Sequence, residues 1–276
     1  MTASRVEQYL DAVAQLHSRG AIALVSVILF GSAAGGLLSV SSDVDIILVL
    51  SDEATSQDRL RLRSAVADLE IAHGFRLPES PARNALEKFV EHAVGDSHSC
   101  FFCTRCELLS GDVGRVFGLR TAEKIFVERM VFASVIVSAR TVWGEDLLGH
   151  VPLRSLRQLD VFKALFRLSG MVLLIAAAYP LLPDATRYAM GVLKHSLHSC
   201  YFCYAQKNAP LDEEVAFFRA RLRQSGVLAD LLSQRQRYHR SMAFVMRCVP
   251  MIFRLHMLAA WDNRFPRAVA RASKGS

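Results

Sequence analysis

Two aspartates separated by a single residue, Asp43 and Asp45, lead into the wholly apolar run 46–50. Side chains alternate along an extended strand, so both carboxylates point to one face. Two carboxylates this close repel each other unless a cation lies between them. Hard oxygen ligands of this kind suit Mg²⁺, which proteins usually hold with one or two carboxylates and the phosphates of a substrate. The pair therefore predicts a magnesium site.

A glycine-serine break precedes these acids in the chain. The apolar run 23–30 ends there, at Gly31 and Ser32. Glycine lets the backbone approach a phosphate closely, and the small residues after Ser32 can open a short helix whose free N–H groups favour an anion. The spacing from Gly31 to Gly36 is that of a P-loop, but Leu37 stands where that motif needs lysine. A hairpin with two solvated aspartates is the simpler alternative, but it does not explain why the acids enter an apolar run.

The arrangement Phe30-Gly31-Ser32, ten residues, then Asp43-Val44-Asp45-Ile46 resembles the signature of the DNA polymerase β-type nucleotidyltransferase superfamily. The segment 142–147, Val-Trp-Gly-Glu-Asp-Leu, is similar, more loosely, to the step that closes the catalytic domain in the small-substrate adenylyltransferase branch, which includes aminoglycoside-modifying enzymes. The resemblance implies an N-terminal mixed sheet, a two-metal Mg²⁺ site, and ATP or another nucleoside triphosphate as co-substrate.

The N-terminal part of the chain alternates helical and strand patterns. Apolar residues at helical spacing predict a first helix that ends near Gly20 and a second that stops before Gly74, with the strands 23–30 and 44–50 between them. The segment 100–109 is rich in residues that favour strands.

After residue 150 the pattern is helical, with breaks expected at the prolines 180, 183, 210 and 250. We therefore expect an α+β protein with a nucleotidyltransferase catalytic domain over residues 1–150 and an all-helical domain over residues 151–276.

Nucleotidyl transfer often uses a third carboxylate, which bridges the metals or takes the proton of the attacking hydroxyl. Related enzymes usually carry it on a strand after the second helix. Glu107 has strand-like surroundings, and Glu79 lies earlier but next to Pro78, so both stay candidates. By the same resemblance, a basic residue of the helical part, Lys194 or Arg187, contacts the triphosphate. If neither acid reaches the metals, the site is impaired.

Charge and cysteine content bear on partners and location. Residues 215–276 carry twelve Arg or Lys against two Asp, a net charge of +10, which can attract RNA or another polyanion. The most apolar segment, 171–178, is too short to span a membrane, and no signal peptide is evident, so we expect a cytoplasmic protein without membrane contact. Six cysteines, partly in repeated C-x-x-C steps, are expected to be reduced core thiols, with a zinc site as the alternative.

Three functions are compatible with these features. The first is a Mg²⁺-dependent transferase that moves a nucleoside monophosphate, AMP from ATP, onto a hydroxyl of an unknown acceptor. The second is the same chemistry on RNA or on a partner protein, as in toxin–antitoxin pairs. The third is a catalytically silent nucleotide-binding module.

Overall fold

The computed structural model describes residues 3–19, 24–34, 44–75, 87, 90, 100–118, 129–153, 155–223 and 225–261. The strands are β1 (Leu24–Phe30), β2 (Asp45–Leu50), β3 (Cys100–Thr104) and β4 (Arg140–Gly144). The helices that accompany them are α1 (Ala3–Ala14), α2 (Leu16–Arg19), α3 (Gly31–Ala34), α4 (Ser56–Ala72), α5 (Arg105–Leu109), α6 (Val113–Val116) and α7 (Arg129–Ser138).

The remainder of the described chain is helical. Short 3-10 turns at Leu148–His150 and Tyr179–Leu181 lie on either side of the first long helix. The helices are α8 (Gln158–Ala177), α9 (Ala185–Ala205), α10 (Leu211–Arg219), α11 (Gly226–Gln236) and α12 (Met242–Trp261).

The four strands form one mixed sheet in the order β3-β2-β1-β4. Strand β1 pairs antiparallel with β2 and with β4, whereas β3 runs parallel to β2. The residues 142–144, Val-Trp-Gly, belong to β4, in which Trp143 lies opposite Val27. The predicted mixed sheet followed by a helical part is thereby confirmed.

Both faces of the two central strands are covered. Val27, Leu29 and Leu48 belong to a core shared with α1 and α4, whereas Ile28 and Ile47 belong to a core on the other face, shared with α6 and α7. Strands buried on both faces have continuous apolar sequences instead of alternating ones. The runs 24–30 and 46–50 are continuous for this reason.

A third core holds the helical part together. It contains the inward faces of α8, α9 and α12, and α7 joins it through Met130 and Ala133. The same helix α7 contributes Phe132 and Ile136 to the core of the sheet. Helix α7 therefore links the sheet to the helical bundle, although it lies before residue 150, where we place the domain boundary.

Two local expectations were wrong. Strand β3 ends at Thr104 and is followed by α5, because the Thr104 side chain accepts a hydrogen bond from the backbone N–H of Glu107 and thereby caps that helix. Pro250 does not break the chain but lies inside α12. Neighbouring Cys248, Met251 and Ile252 are buried, so packing on both sides holds the helix together through the proline.

Helix α12 is the one helix in the described ranges that is long and apolar enough to cross a membrane by length and composition. Less than half of its most apolar window is buried in the protein. A core helix of a water-soluble protein passes the same test, so this feature is weak evidence for a membrane span.

Candidate nucleotide and metal site

The pairing of β1 with β2 brings the glycine-serine break to the acidic strand. In the antiparallel register Phe30, the last residue of β1, lies opposite Asp45, the first residue of β2. Gly31 follows Phe30 directly and begins the short helix α3. The end of one strand and the start of its neighbour therefore form a single edge of the sheet, where Gly31 and Asp45 meet.

Gly31 has a backbone conformation and an environment that only glycine tolerates. Its φ angle is +71°, in the left-handed region that residues with a side chain rarely adopt. A Cβ atom on Gly31 would also overlap the Oδ2 atom of Asp45. The Asp45 carboxylate thus lies directly against the bare Cα of Gly31.

Several of the expected site residues lie outside the described residues. Asp43 and Glu79 fall in such ranges, and for Ser32 the structure describes the backbone in α3 but not the side chain. The described part of the site consists of Gly31 and Asp45. The role of each of these five residues stays a prediction.

The carboxylate of Asp45 belongs to the class of groups that can ligate magnesium. This half-buried carboxylate has hard oxygen donors, and it occupies the space that a side chain on Gly31 would need. Within the described ranges, no group of three or more His, Cys, Asp or Glu side chains could hold a metal by itself. The donor set therefore fits an ion held by one or two carboxylates and completed by phosphate oxygens, and does not indicate an all-protein cage.

The structure separates Glu107 from this edge of the sheet. In the parallel register of β2 and β3, Thr104 lies beside Leu50, at the opposite end of β2 from Asp45. Five residues of extended chain span about 17 Å. Glu107 follows Thr104 by three residues, so the strand that was expected to deliver this acid carries it away from Asp45.

Glu107 has a structural role instead. Its Oε2 atom accepts hydrogen bonds from the backbone N–H of Thr104 at 2.8 Å and from the Arg59 guanidinium at 2.9 Å. Together with the Thr104 hydroxyl this makes a reciprocal capping box at the start of α5. The choice of Glu107 as third carboxylate is therefore corrected: its oxygen caps a helix and pairs with α4.

Lys194 and Arg187 are both exposed residues of α9. The described side-chain contacts that tie α9 and its following loop to α7 are at the C-terminal end, where Cys203 Sγ lies 3.0 Å from Met130 Sδ and the Ser134 hydroxyl donates to Asn208. Cys203 is nine residues beyond Lys194, which is about 14 Å along a helix. Neither basic residue has a described contact with Gly31 or Asp45, and their phosphate-binding role stays a prediction.

A buried polar contact between Ser196 of α9 and His256 of α12 is a feature that the sequence did not predict. Ser196 Oγ lies 3.3 Å from His256 Nδ1, and the same nitrogen lies 2.9 Å from the carbonyl oxygen of Ile252. Burial lowers the pKa of His256 to about 4, and burial together with the charge of Arg167 lowers the pKa of His195 to about 3. Both rings are neutral at pH 7, so neither supplies positive charge for a triphosphate.

The six cysteines are all thiols, and no two of them form a disulfide. Cys103, Cys200, Cys203 and Cys248 are buried, as predicted for core thiols, and burial raises the pKa of Cys103 to about 12. Cys106 differs, since it is exposed and its thiol donates to Asp52 at 3.0 Å.

Part of the positive charge of the C-terminal region is used in the fold. The Arg240 guanidinium donates to the carbonyl oxygens of Tyr179 and Leu182, and Arg247 forms an ion pair with Asp230 at 2.9 Å. These contacts involve two of the twelve basic residues of the region and need no bound polyanion. Binding of nucleic acid by this region therefore has no support from the fold.

Comparisons with known proteins give a match over the N-terminal part of the chain and a similarity of overall fold. A family model described as a nucleotidyltransferase domain matches residues 6–88, the span that contains Gly31 and Asp45. A comparison with curated proteins gives no significant match.

Among solved structures, the fold is similar to spectinomycin adenyltransferase AAD(9) from Enterococcus faecialis, in a crystal structure with ATP and spectinomycin. The similarity covers 94% of this chain and 99% of that one, with a TM-score of 0.55 and 10% sequence identity. At this identity the likeness concerns the fold. The nucleotidyltransferase-domain model matches residues 6–88, and the α+β fold of the chain is similar to that of the adenyltransferase structure.

Proposed function

We propose that this protein is a Mg²⁺-dependent nucleotidyltransferase that moves AMP from ATP onto a hydroxyl group of a small acceptor. The observation that carries the proposal is the contact of the Asp45 carboxylate with the Cα of Gly31 at one edge of the sheet. The matching family model supports nucleotidyl transfer as the class of reaction.

In the proposed reaction, the acceptor oxygen forms a bond to the α-phosphorus of ATP while the bond from that phosphorus to the bridging oxygen of pyrophosphate breaks. The proton of the acceptor hydroxyl leaves to a base, and pyrophosphate departs. When bound, Mg²⁺ supplies positive charge that stabilises the phosphate oxygens. Asp45, with Asp43 as the second expected ligand, would hold that ion, and the backbone at Gly31 would lie beside the phosphates.

We propose that the acceptor lies between the catalytic domain, residues 1–150, and the helical domain, residues 151–276. The structurally similar adenyltransferase was crystallised with ATP and spectinomycin, which favours a small hydroxylated acceptor such as an aminosugar. The net charge of +7 does not favour a cationic acceptor, so uncharged hydroxylated compounds belong in the same screen.

The test compares Asp45→Asn with Asp68→Asn, a matched change of an exposed aspartate on α4. Calorimetry measures ATP binding with and without Mg²⁺, and pyrophosphate release is measured with a panel of hydroxylated acceptors. We expect Asp45→Asn to abolish release and to remove the Mg²⁺ dependence of ATP binding, while Asp68→Asn behaves like the parent. Unchanged magnesium dependence in a folded Asp45→Asn protein would refute the proposal.

A silent nucleotide-binding module is the second candidate. The observation that favours it is that Glu107 lies at the far end of β2, which leaves the third carboxylate unassigned in the described ranges. Mass spectrometry of ATP after long incubation with Mg²⁺ and the acceptor panel distinguishes the two. ATP that binds but stays intact under every condition favours the silent module.

A further inference from the structure

A short loop of the helical part is bonded to the helix that links this part to the sheet. The loop consists of residues 206–210, between α9 and α10, and we call it the α9–α10 loop. Asn208 lies in its middle, and the Asn208 Oδ1 atom accepts a hydrogen bond from the hydroxyl of Ser134 on α7 at 2.8 Å. The bond therefore joins the loop directly to α7.

The α9–α10 loop is fixed at the end that follows α9. Gln206 has a left-handed backbone conformation, with φ at +51°, which residues with a side chain rarely adopt. Its backbone N–H and its side-chain amide both donate to the carbonyl oxygen of Phe202, at 3.0 Å and 3.1 Å. A residue of this kind ends a helix and satisfies one of its last carbonyl groups. The direction in which the loop leaves α9 is therefore set.

The loop is also fixed at the end that precedes α10. Glu213 and Glu214 lie in the first turn of α10, and each carboxylate is bonded to a side chain of α9. His198 Nδ1 lies 2.7 Å from Glu214 Oε1, and the Tyr201 hydroxyl donates to Glu213 Oε1 at 3.0 Å. The Glu214 side chain is 1% exposed, so its bond is shielded from water and strong. Asn208 is thus held from both sides by the helical part.

Helix α7, at the other end of the Asn208 bond, lies against the end of β1. Phe132 of α7 belongs to the same core as Phe30, the last residue of β1, and α7 also contacts α3, which begins at Gly31. One residue after α7 the chain enters β4, whose first residue, Arg140, pairs with Leu29 of β1. The placement of α7 therefore affects the end of β1 and α3, where the proposed nucleotide site begins.

We propose that Asn208 is a positioning residue for the nucleotide site. Its bond to Ser134 holds α7, and α7 holds the end of β1 and α3 in the arrangement in which Gly31 meets Asp45. This inference rests on the proposed function, because it assigns the residue that ties that site to the helical part. Without the bond α7 can take other placements, and a site whose competent arrangement is only partly populated binds its ligand more weakly in proportion.

The first test is calorimetry of ATP binding to the full chain with Mg²⁺. Neither Asn208 nor Ser134 is buried, so changing either one removes a hydrogen bond without opening a cavity. Asn208→Ala should raise the dissociation constant about three- to tenfold, the range that one hydrogen bond between neutral groups can supply. Asn208→Asp retains an oxygen acceptor for the Ser134 hydroxyl and should restore most of the affinity.

Two further variants show whether the bond itself is responsible. Ser134→Ala should weaken ATP binding as much as Asn208→Ala, and the double variant should be no weaker than either, because all three lack the same bond. Asp230→Ala is the control, since it removes an exposed ion pair between α11 and α12 that involves neither α7 nor the α9–α10 loop. It should bind ATP like the parent.

Hydrogen exchange without nucleotide tests the coupling independently of ATP. Asn208→Ala should speed exchange about three- to tenfold in residues 30–34 and leave residues 242–261 of α12 unchanged, because only openings near α7 become more frequent. Faster exchange throughout the chain would indicate a general loss of stability and overturn the inference. Unchanged exchange in residues 30–34, or unchanged ATP affinity, would overturn it as well. A parent protein that binds no ATP, but whose residues 30–34 respond, would refute the proposed function and support the coupling.

Discussion

The carboxylate of Asp45 lies against the Cα atom of Gly31, at a distance that leaves no space for a side chain on residue 31. This contact joins the end of β1 to the start of β2 and unites the glycine-serine break with the acidic strand. The proposed chemistry depends on these two residues being neighbours.

Replacing Gly31 with alanine should remove activity. The new Cβ overlaps Asp45 Oδ2, so the carboxylate has to move, and displacements of about 1 Å can cost on the order of a hundredfold in rate. The control is Gly118→Ala, since Gly118 has a similar φ of +63° but open space around it. Both variants bear the same backbone strain, and only Gly31→Ala should lose Mg²⁺-dependent ATP binding and pyrophosphate release. Equal losses in both would contradict a specific role for the contact.

Replacing Glu107 with alanine should reduce stability and spare activity. The change removes an acceptor from the Thr104 N–H and from Arg59, which is worth about 1–2 kcal/mol for a helix cap of this kind. Glu107→Gln retains an oxygen acceptor, so this variant should lose less stability than Glu107→Ala. Urea unfolding gives the free energies, and ATP turnover is assayed well below the melting temperature. A folded Glu107→Ala protein without turnover would reinstate Glu107 as a catalytic acid.

Replacing Tyr9 with phenylalanine should stabilise the protein or leave its stability unchanged. The Tyr9 ring is fully buried against Phe75, and its hydroxyl has no hydrogen-bond partner among the described residues. Removing an unpaired buried hydroxyl while keeping the ring should raise the free energy of unfolding by up to about 1 kcal/mol. Tyr9→Leu, which shortens the side chain, should be destabilising in the same urea titration. A clear loss of stability in Tyr9→Phe would indicate that the hydroxyl is bonded.

Stability should decrease in mild acid because of His256. The pKa of His256 is about 4 in the folded protein and has the ordinary value of 6.5 in the unfolded chain. Between pH 4 and pH 6.5 the unfolded chain therefore binds more protons than the folded protein. The free energy of unfolding should therefore be largest above pH 6.5 and fall by a few kcal/mol as the pH is lowered toward 4. His195, with a pKa of about 3, adds to the same trend. His256→Gln should flatten the fall, whereas changing the exposed His150 to Gln should not.

The capping box at α5 could have been read from the sequence. Thr104 and Glu107 have the T-x-x-E spacing that marks a helix start, but the apolar residues before them suggested that the strand continues. Recognising this spacing would have removed Glu107 from the candidates for the metal site. Pro250 shows the opposite case, because its tolerance inside α12 depends on distant residues packing around it, which no local pattern reveals.

The sequence by itself determined the nucleotidyltransferase motif, the two central strands and the helical character of the C-terminal part. These features are encoded locally, in the order of glycine, serine and aspartate and in continuous apolar runs. Only the tertiary structure decided that Asp45 meets Gly31 and that Glu107 does not, because strand register determines which ends of neighbouring strands coincide. The exposure of large apolar residues such as Phe166 and Phe253 was equally invisible in the sequence. Which apolar residues of a helix stay exposed depends on which neighbours cover it, and that is a property of the packed chain.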